Sequence, residues 1–228
     1  MQAGGALIAC RWLAAFLLLA FSNFPASSQP MREARGAPAG AFDFYVLALS
    51  WSPGFCETNS TARSEKQCAD GSGLGFVTHG LWPQLDVGYP SFCEPSGRFV
   101  PRAALDEFGD VFPDQNLARY QWRKHGTCTG DSPSGYFRKV KAAREMVKIP
   151  VRLAKIPTGS RVMPIEIERA FAEVNPGLRL DMMSISCGRR VFQEIRICVD
   201  RDLKNFRQCP EVDRDGCNAG QIAVPAVR

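Results

Sequence analysis

Histidine is nearly absent from this chain, which has two in 228 residues, at positions 79 and 125. No CxxC pair occurs and neither histidine has a second ligand at metal-binding spacing, so zinc is a poor account of the nine cysteines. Charge of one sign is not in great excess either. The formal net charge is +5, a mild attraction for polyanions that by itself selects no partner. Internal repeats and low-complexity tracts are missing, which sets aside solenoids and repeat arrays. Apolar runs are short. WLAAFLLLAF, residues 12–21, is too short to span a bilayer, and no later segment approaches that requirement.

What is present begins with export. Residues 1–11 carry one charged side chain, Arg11; the apolar run follows, then small residues at Ala26, Ser27 and Ser28. Together these read as a secretory signal peptide over residues 1–28, with a retained membrane anchor as the alternative. Its removal takes Cys10 and Arg11, leaving eight cysteines and 27 basic against 23 acidic side chains. An even cysteine count after export points to disulfides in an oxidising compartment, secreted or periplasmic, and to a mature protein free of the membrane. Residues 29–41, QPMREARGAPAGA, are small, polar and proline-containing, and read as a flexible leader. Residues 42–228 have the length of one domain.

That domain mixes strands and helices. FDFYVLALSW (42–51) is an apolar run of strand character, broken by Ser-Pro-Gly. GLGFVTHGLWP (73–83) is a second strand, ended by Pro83. Over 132–147, Tyr136, Val140, Ala143 and Val147 recur at helical spacing after a Ser-Pro start. A further helix fits 164–177, opened by Pro164 and closed by Asn-Pro-Gly. MMSISC (182–187), Gly-Arg-Arg and VFQEIRICVD (191–200) form an antiparallel hairpin whose second arm alternates at Val191, Gln193, Ile195 and Ile197. No β-α-β rhythm links these elements. The pattern predicts an α+β fold, a central antiparallel sheet flanked by helices.

The two histidines sit in similar surroundings. In LARYQWRKHG (117–126) nothing breaks a helix before Gly126. Helical spacing puts Tyr120, Gln121, Lys124 and His125 on one face and leaves Trp122 free to enter the core. A phenol, an amide, a lysine and a histidine on one patch suit an anion. An ordinary helix end, with His and Lys serving the dipole, accounts for the same residues. His79 ends an apolar strand and precedes Gly80 and a Trp-Pro pair, a rigid mount for a catalytic side chain. A partly buried, satisfied histidine is the alternative there.

Taken together, the segments resemble one family. FVTHGLWPQ is similar to the first active-site segment of the ribonuclease T2 family of acid, metal-free endoribonucleases, and WRKHGTC to its second. YVLALSWSPGFC resembles the family's opening strand, and MMSISC through EIRICVDRDL with Cys209-Pro210 its closing hairpin. The resemblance implies RNA as substrate, no cofactor and a monomeric enzyme. RNA carries its own nucleophile, the 2′-hydroxyl, so cleavage needs a base, an acid and a cation for the crowded phosphorane. By resemblance His125 is the base, His79 the acid and Lys124 the charge stabiliser. The product is a 2′,3′-cyclic phosphate. Trp82, Gln84 and Tyr89 match positions that face a nucleobase, although Leu117 replaces an aromatic of the family. Trp82 has simple core packing as its alternative.

Two positions depart from the family, which has His-Glu where this chain has Tyr120 and Gln121. Tyr120 can donate to phosphate without bringing charge. Gln121 can orient a neighbour or donate to a phosphoryl oxygen, but it cannot exchange a proton. A catalytically impaired relative that binds RNA or a partner is therefore one rival reading, and a metal-dependent phosphodiesterase is another. The resemblance also implies the disulfides Cys93–Cys128, Cys187–Cys217, Cys198–Cys209 and Cys56–Cys68. Gly80 and Gly126 are expected to serve backbone geometry. Asn59-Ser60-Thr61 is a glycosylation sequon, meaningful only in a eukaryotic secretory pathway.

Overall fold

A computed structural model of the chain describes residues 1–2, 31–59, 66–94, 97, 99–108 and 110–227. The rest of the expected signal peptide lies outside these residues, as do Ser60 and Thr61 of the sequon. Among the described residues no helix is long and apolar enough to cross a membrane.

The fold is built on strand β2 (Phe44–Trp51), buried at all eight positions. It runs antiparallel to β3 (Phe76–Gln84) on one edge and to β7 (Val191–Val199) on the other. β6 (Met183–Gly188) pairs with β7 as the expected hairpin, turning at Arg189 and Arg190 with φ of 50° and 62°. Two consecutive left-handed residues match the twist of a two-residue hairpin turn. β8 (Ile222–Ala223) joins β7 in parallel and β5 (Arg161–Val162) completes the sheet, so its antiparallel centre carries one parallel contact.

Both faces of the sheet are covered, which is why β2 is a continuous apolar run. Tyr45, Leu47, Leu49 and Trp51 enter the main core; Phe44 and Val46 enter a smaller cluster with Cys198, Cys209 and Val212. The described helices are α1 (Ser52–Thr58), α2 (Arg102–Glu107), α3 (Gln115–Lys124), α4 (Pro133–Met146), α5 (Val151–Ala154), α6 (Pro164–Val174) and α7 (Pro210–Arg214). α4 buries Tyr136, Phe137, Val140 and Ala143, and α6 buries Ile167, Ala170 and Phe171. Each large apolar side chain so buried contributes roughly 1.5–3 kcal/mol.

Two expectations need correction. Pro83 does not end its strand; β3 continues through Gln84, with Pro83 paired to Tyr45. β3 is an edge strand, where a missing N–H leaves no ladder bond unmade. Nor is the whole of 29–41 a flexible leader. β1 (Glu33–Arg35) pairs in parallel with β4 (Tyr89–Ser91), and Gly40 N–H donates to the Cys128 carbonyl at 2.8 Å. A polar segment without an apolar run is held here by backbone bonds to an edge strand, a partner that composition does not reveal.

The cysteines pair as Cys56–Cys68, Cys93–Cys128, Cys187–Cys217 and Cys198–Cys209. Cys93–Cys128 closes a separation of 35 residues and ties the segment after β4 to the turn after α3. In the chain-entropy account, removing it with Cys93→Ala/Cys128→Ala lowers stability by about 4 kcal/mol. Denaturant unfolding of the oxidised protein measures this, and peptide mapping that finds Cys93 joined elsewhere overturns the assignment.

Candidate active site

Helix α3 is started by Asp114, whose carboxylate accepts from the N–H groups of Asn116 (2.7 Å) and Leu117 (2.9 Å). It ends at His125, whose N–H still reaches the Gln121 carbonyl at 2.9 Å. Trp122 turns into the core and donates its indole N–H to the Gly97 carbonyl at 2.6 Å. The opposite face presents Tyr120, Gln121, Lys124 and His125 to one cleft.

His79 reaches the same cleft from β3. Ala48 pairs with Gly80 and Leu49 with Thr78, so His79 is the extra residue of a β-bulge. A bulge re-aims a side chain out of the regular alternation. Tyr136 of α4 braces this strand nearby, donating its hydroxyl to the Leu81 carbonyl at 3.0 Å. Trp82, Gln84 and Tyr89 line the cleft as well, so the expected catalytic and substrate-facing residues share one cavity.

Their surroundings differ sharply. Trp82 stands between the histidines, edge-on to His79 (5.3 Å between ring centroids) and stacked on His125 (5.2 Å). Its indole N–H donates to Gln121 Oε1 at 2.8 Å, which gives the buried amide a structural duty. Gln84 is buried and donates to the sulfur of Met31, which itself lines the cleft from the segment read as a leader. Tyr120 is exposed at the rim, and Lys124 Nζ stands 5.9 Å from the Tyr89 ring centroid.

Neither site glycine is needed for a left-handed turn. A Cβ on Gly80 would lie 2.2 Å from Gln121 Oε1 and 2.5 Å from Trp82 Nε1; one on Gly126 would lie 2.3 Å from Trp122. Both are kept small by neighbouring side chains, not by backbone geometry as expected. Gly126 continues into a short 3₁₀ turn, Gly126–Cys128.

Electrostatics separate the two imidazoles. Burial, then Lys124 and then His79 hold the pKa of His125 well below an ordinary histidine's. Its Nδ1 is buried without a hydrogen-bond partner, and an imidazolium would require an acceptor at both nitrogens. His79 is a third exposed, and its Nδ1 lies 2.5 Å from Glu194 Oε2. Glu194 is buried on β7; burial alone would raise its carboxyl, but His79 and Arg196 together hold it below the usual range. Arg196 Nε donates to Glu194 Oε1 at 3.0 Å, and Nη1 to Asp215 at 3.1 Å.

Arg196, Asp215 and Met31 line the cleft, and Glu194 lies buried behind His79; none of the four was singled out by sequence reasoning. The signal for Glu194 and Arg196 was a Glu and an Arg, two apart, within the largely apolar VFQEIRICV. Among the described residues no three His, Cys, Asp or Glu side chains converge as metal ligands.

A sequence model of the ribonuclease T2 family matches residues 42–209. The chain belongs to the ribonuclease T2 family. It is 43% identical over 183 residues to a ribonuclease of Aeromonas hydrophila, covering 78% of this chain and 81% of that protein. Its fold resembles RNase NT, solved in complex with 5′-AMP (TM-score 0.64, 20% identity, 81% and 98% of the two chains). It also resembles an RNase-related protein from Calystegia sepium (TM-score 0.63, 22% identity, 82% and 98%). Against the family's usual His-Glu, this T2 member holds Tyr120 and Gln121, and a buried carboxylate, Glu194 of β7, stands behind the other histidine.

The depressed pKa of His125 keeps its imidazole neutral down to acidic pH. If it is the base, the rising limb of the pH–rate profile lies below pH 6.5. Gln121→Glu adds a negative charge beside it, favours the imidazolium and moves that limb to higher pH. A profile unchanged by the substitution overturns the coupling.

Proposed function

We propose that this T2 ribonuclease cleaves single-stranded RNA by transphosphorylation, leaving 2′,3′-cyclic phosphate ends. The observation that carries the reading is the pair of unlike histidines on either side of Trp82. His125, buried and neutral, takes the proton of the 2′-hydroxyl as the oxygen attacks phosphorus. His79 gives a proton to the departing 5′-oxygen; Glu194 is the counter-ion of its imidazolium and fixes the ring through Nδ1, leaving Nε2–H for the leaving group. Lys124, on the same wall as His125, meets the charge that develops on the phosphorane. Trp82 and Gln121 position the histidines, while Tyr89, Gln84 and Tyr120 are left to contact the nucleotide. The chain acts as a monomer without a metal. Export to the periplasm or the exterior is supported by four disulfides and by the apolar run at 12–21.

Incubating the oxidised protein with RNA and with DNA, with and without EDTA, tests this. RNA-only, EDTA-resistant cleavage with cyclic phosphate ends is expected. Binding without cleavage favours the impaired relative, and loss of activity with chelator favours a metal-dependent phosphodiesterase. Glu194→Gln, which keeps the shape and removes the counter-ion, is expected to lower kcat at least about tenfold while leaving KM for RNA nearly unchanged.

A further inference from the structure

A second cleft lies beside the active site, lined by Arg35, Phe92, Phe99 and Arg123. The Arg35 guanidinium stands 4.0 Å from the centroid of the Phe92 ring. Phe99 is 78% exposed, an aromatic ring left in water. Among the described residues neither Arg35 nor Arg123 takes part in an ion pair, although Arg35 follows Glu33 by two positions. Glu33 is occupied by the Ser91 hydroxyl at 2.6 Å.

Phe92 is also strained. Its φ is 47°, a left-handed conformation uncommon for a bulky side chain. It is held there by its own N–H, which donates to the Lys124 carbonyl at 2.8 Å, and by the following Cys93–Cys128 bridge. The strain presents the ring on the outer side of the same segment whose Tyr89 lines the active-site cleft. Arg123 is likewise the chain neighbour of Lys124. The two clefts are thus joined by the segment Tyr89–Phe92, β4 and the residue after it, and by Arg123 and Lys124 at the end of α3.

We propose that this cleft is an outer subsite for the RNA strand, resting on the reading of the first cleft as a ribonuclease site. Arg35 and Arg123 each take a phosphate of the chain flanking the scissile linkage, and Phe92 and Phe99 offer faces on which an unstacked base lies. Guanidiniums without an ion-pair partner among the described residues, set beside aromatic rings, are what a single-stranded polyanion with planar bases requires, and stacking needs no particular base. The substrate class of the enzyme is therefore polymeric single-stranded RNA in preference to dinucleotides.

Two variants test it: Arg35→Ala/Arg123→Ala, and Phe92→Gly, which removes the ring and relieves the backbone, so that loss of folding is not the expected result. For both, KM on polymeric RNA should rise at least about fivefold, whereas kcat/KM on a dinucleoside monophosphate should not change. The double arginine variant should also lose about 1.4 from the slope of log KM against log salt, for two phosphates at ~0.7 each. Equal losses on both substrates, or none on the polymer, overturn the proposal. A labelled 2′-O-methyl oligoribonucleotide lacks the nucleophile, so its anisotropy reads the subsite even if the protein cleaves nothing. A Kd weakened at least about fivefold in the variants supports the subsite, and an unchanged Kd overturns it.

Discussion

The carboxylate of Glu194 sits in the central strand of a sheet covered on both faces, where an ion without a partner would be costly. A guanidinium and an imidazole answer it. Arg196 reaches it from the same strand, and His79 reaches it from β3, across the intervening β2. The contact from β3 depends on the bulge that places His79 out of register with β2, and it passes over the small side chains of β2, where Ser50 lies opposite Glu194 and donates its hydroxyl to Oε2 at 3.5 Å. Sheet order, bulge and the placement of His79 are therefore parts of one constraint. Shifting β3 by a residue would take one of its two partners from the buried charge as well as misplace the histidine.

Trp82 extends that constraint to the other histidine. Its ring touches both imidazoles, and its N–H is held by Gln121, a buried residue one helical turn before His125. This packing works only because Gly80 has no side chain to occupy the place of the Gln121 amide. An amide at position 121 keeps the hydrogen bond to Trp82 without adding charge to an already buried wall. Its consequence is that the environment of His125 is set by burial and by Lys124, with no carboxylate to oppose them. The two imidazoles thus differ in solvation and in partner.

The leader and the disulfides complete the enclosure. Met31 closes part of the cleft, β1 lies along β4, and Cys93–Cys128 fixes β4 against the end of α3. These contacts hold Phe92 in a strained conformation that local propensity would not choose.

Residue periodicity was enough to place the strands and helices whose apolar spacing is regular: β2, α4, α6 and the hairpin with its Gly-Arg-Arg turn. It also determined the helical face that joins Tyr120, Gln121, Lys124 and His125, because that grouping depends only on the helical repeat. Packing between distant segments set which carboxylate stands beside His79. Glu194 lies 115 positions from His79, and nothing in local periodicity links them. It likewise decided that Pro83 stays within its strand, that Gly80 and Gly126 are excluded volumes, and that a polar leader is docked. Each of these depends on what packs against a residue from elsewhere in the chain, and spacing along the chain carries no record of that.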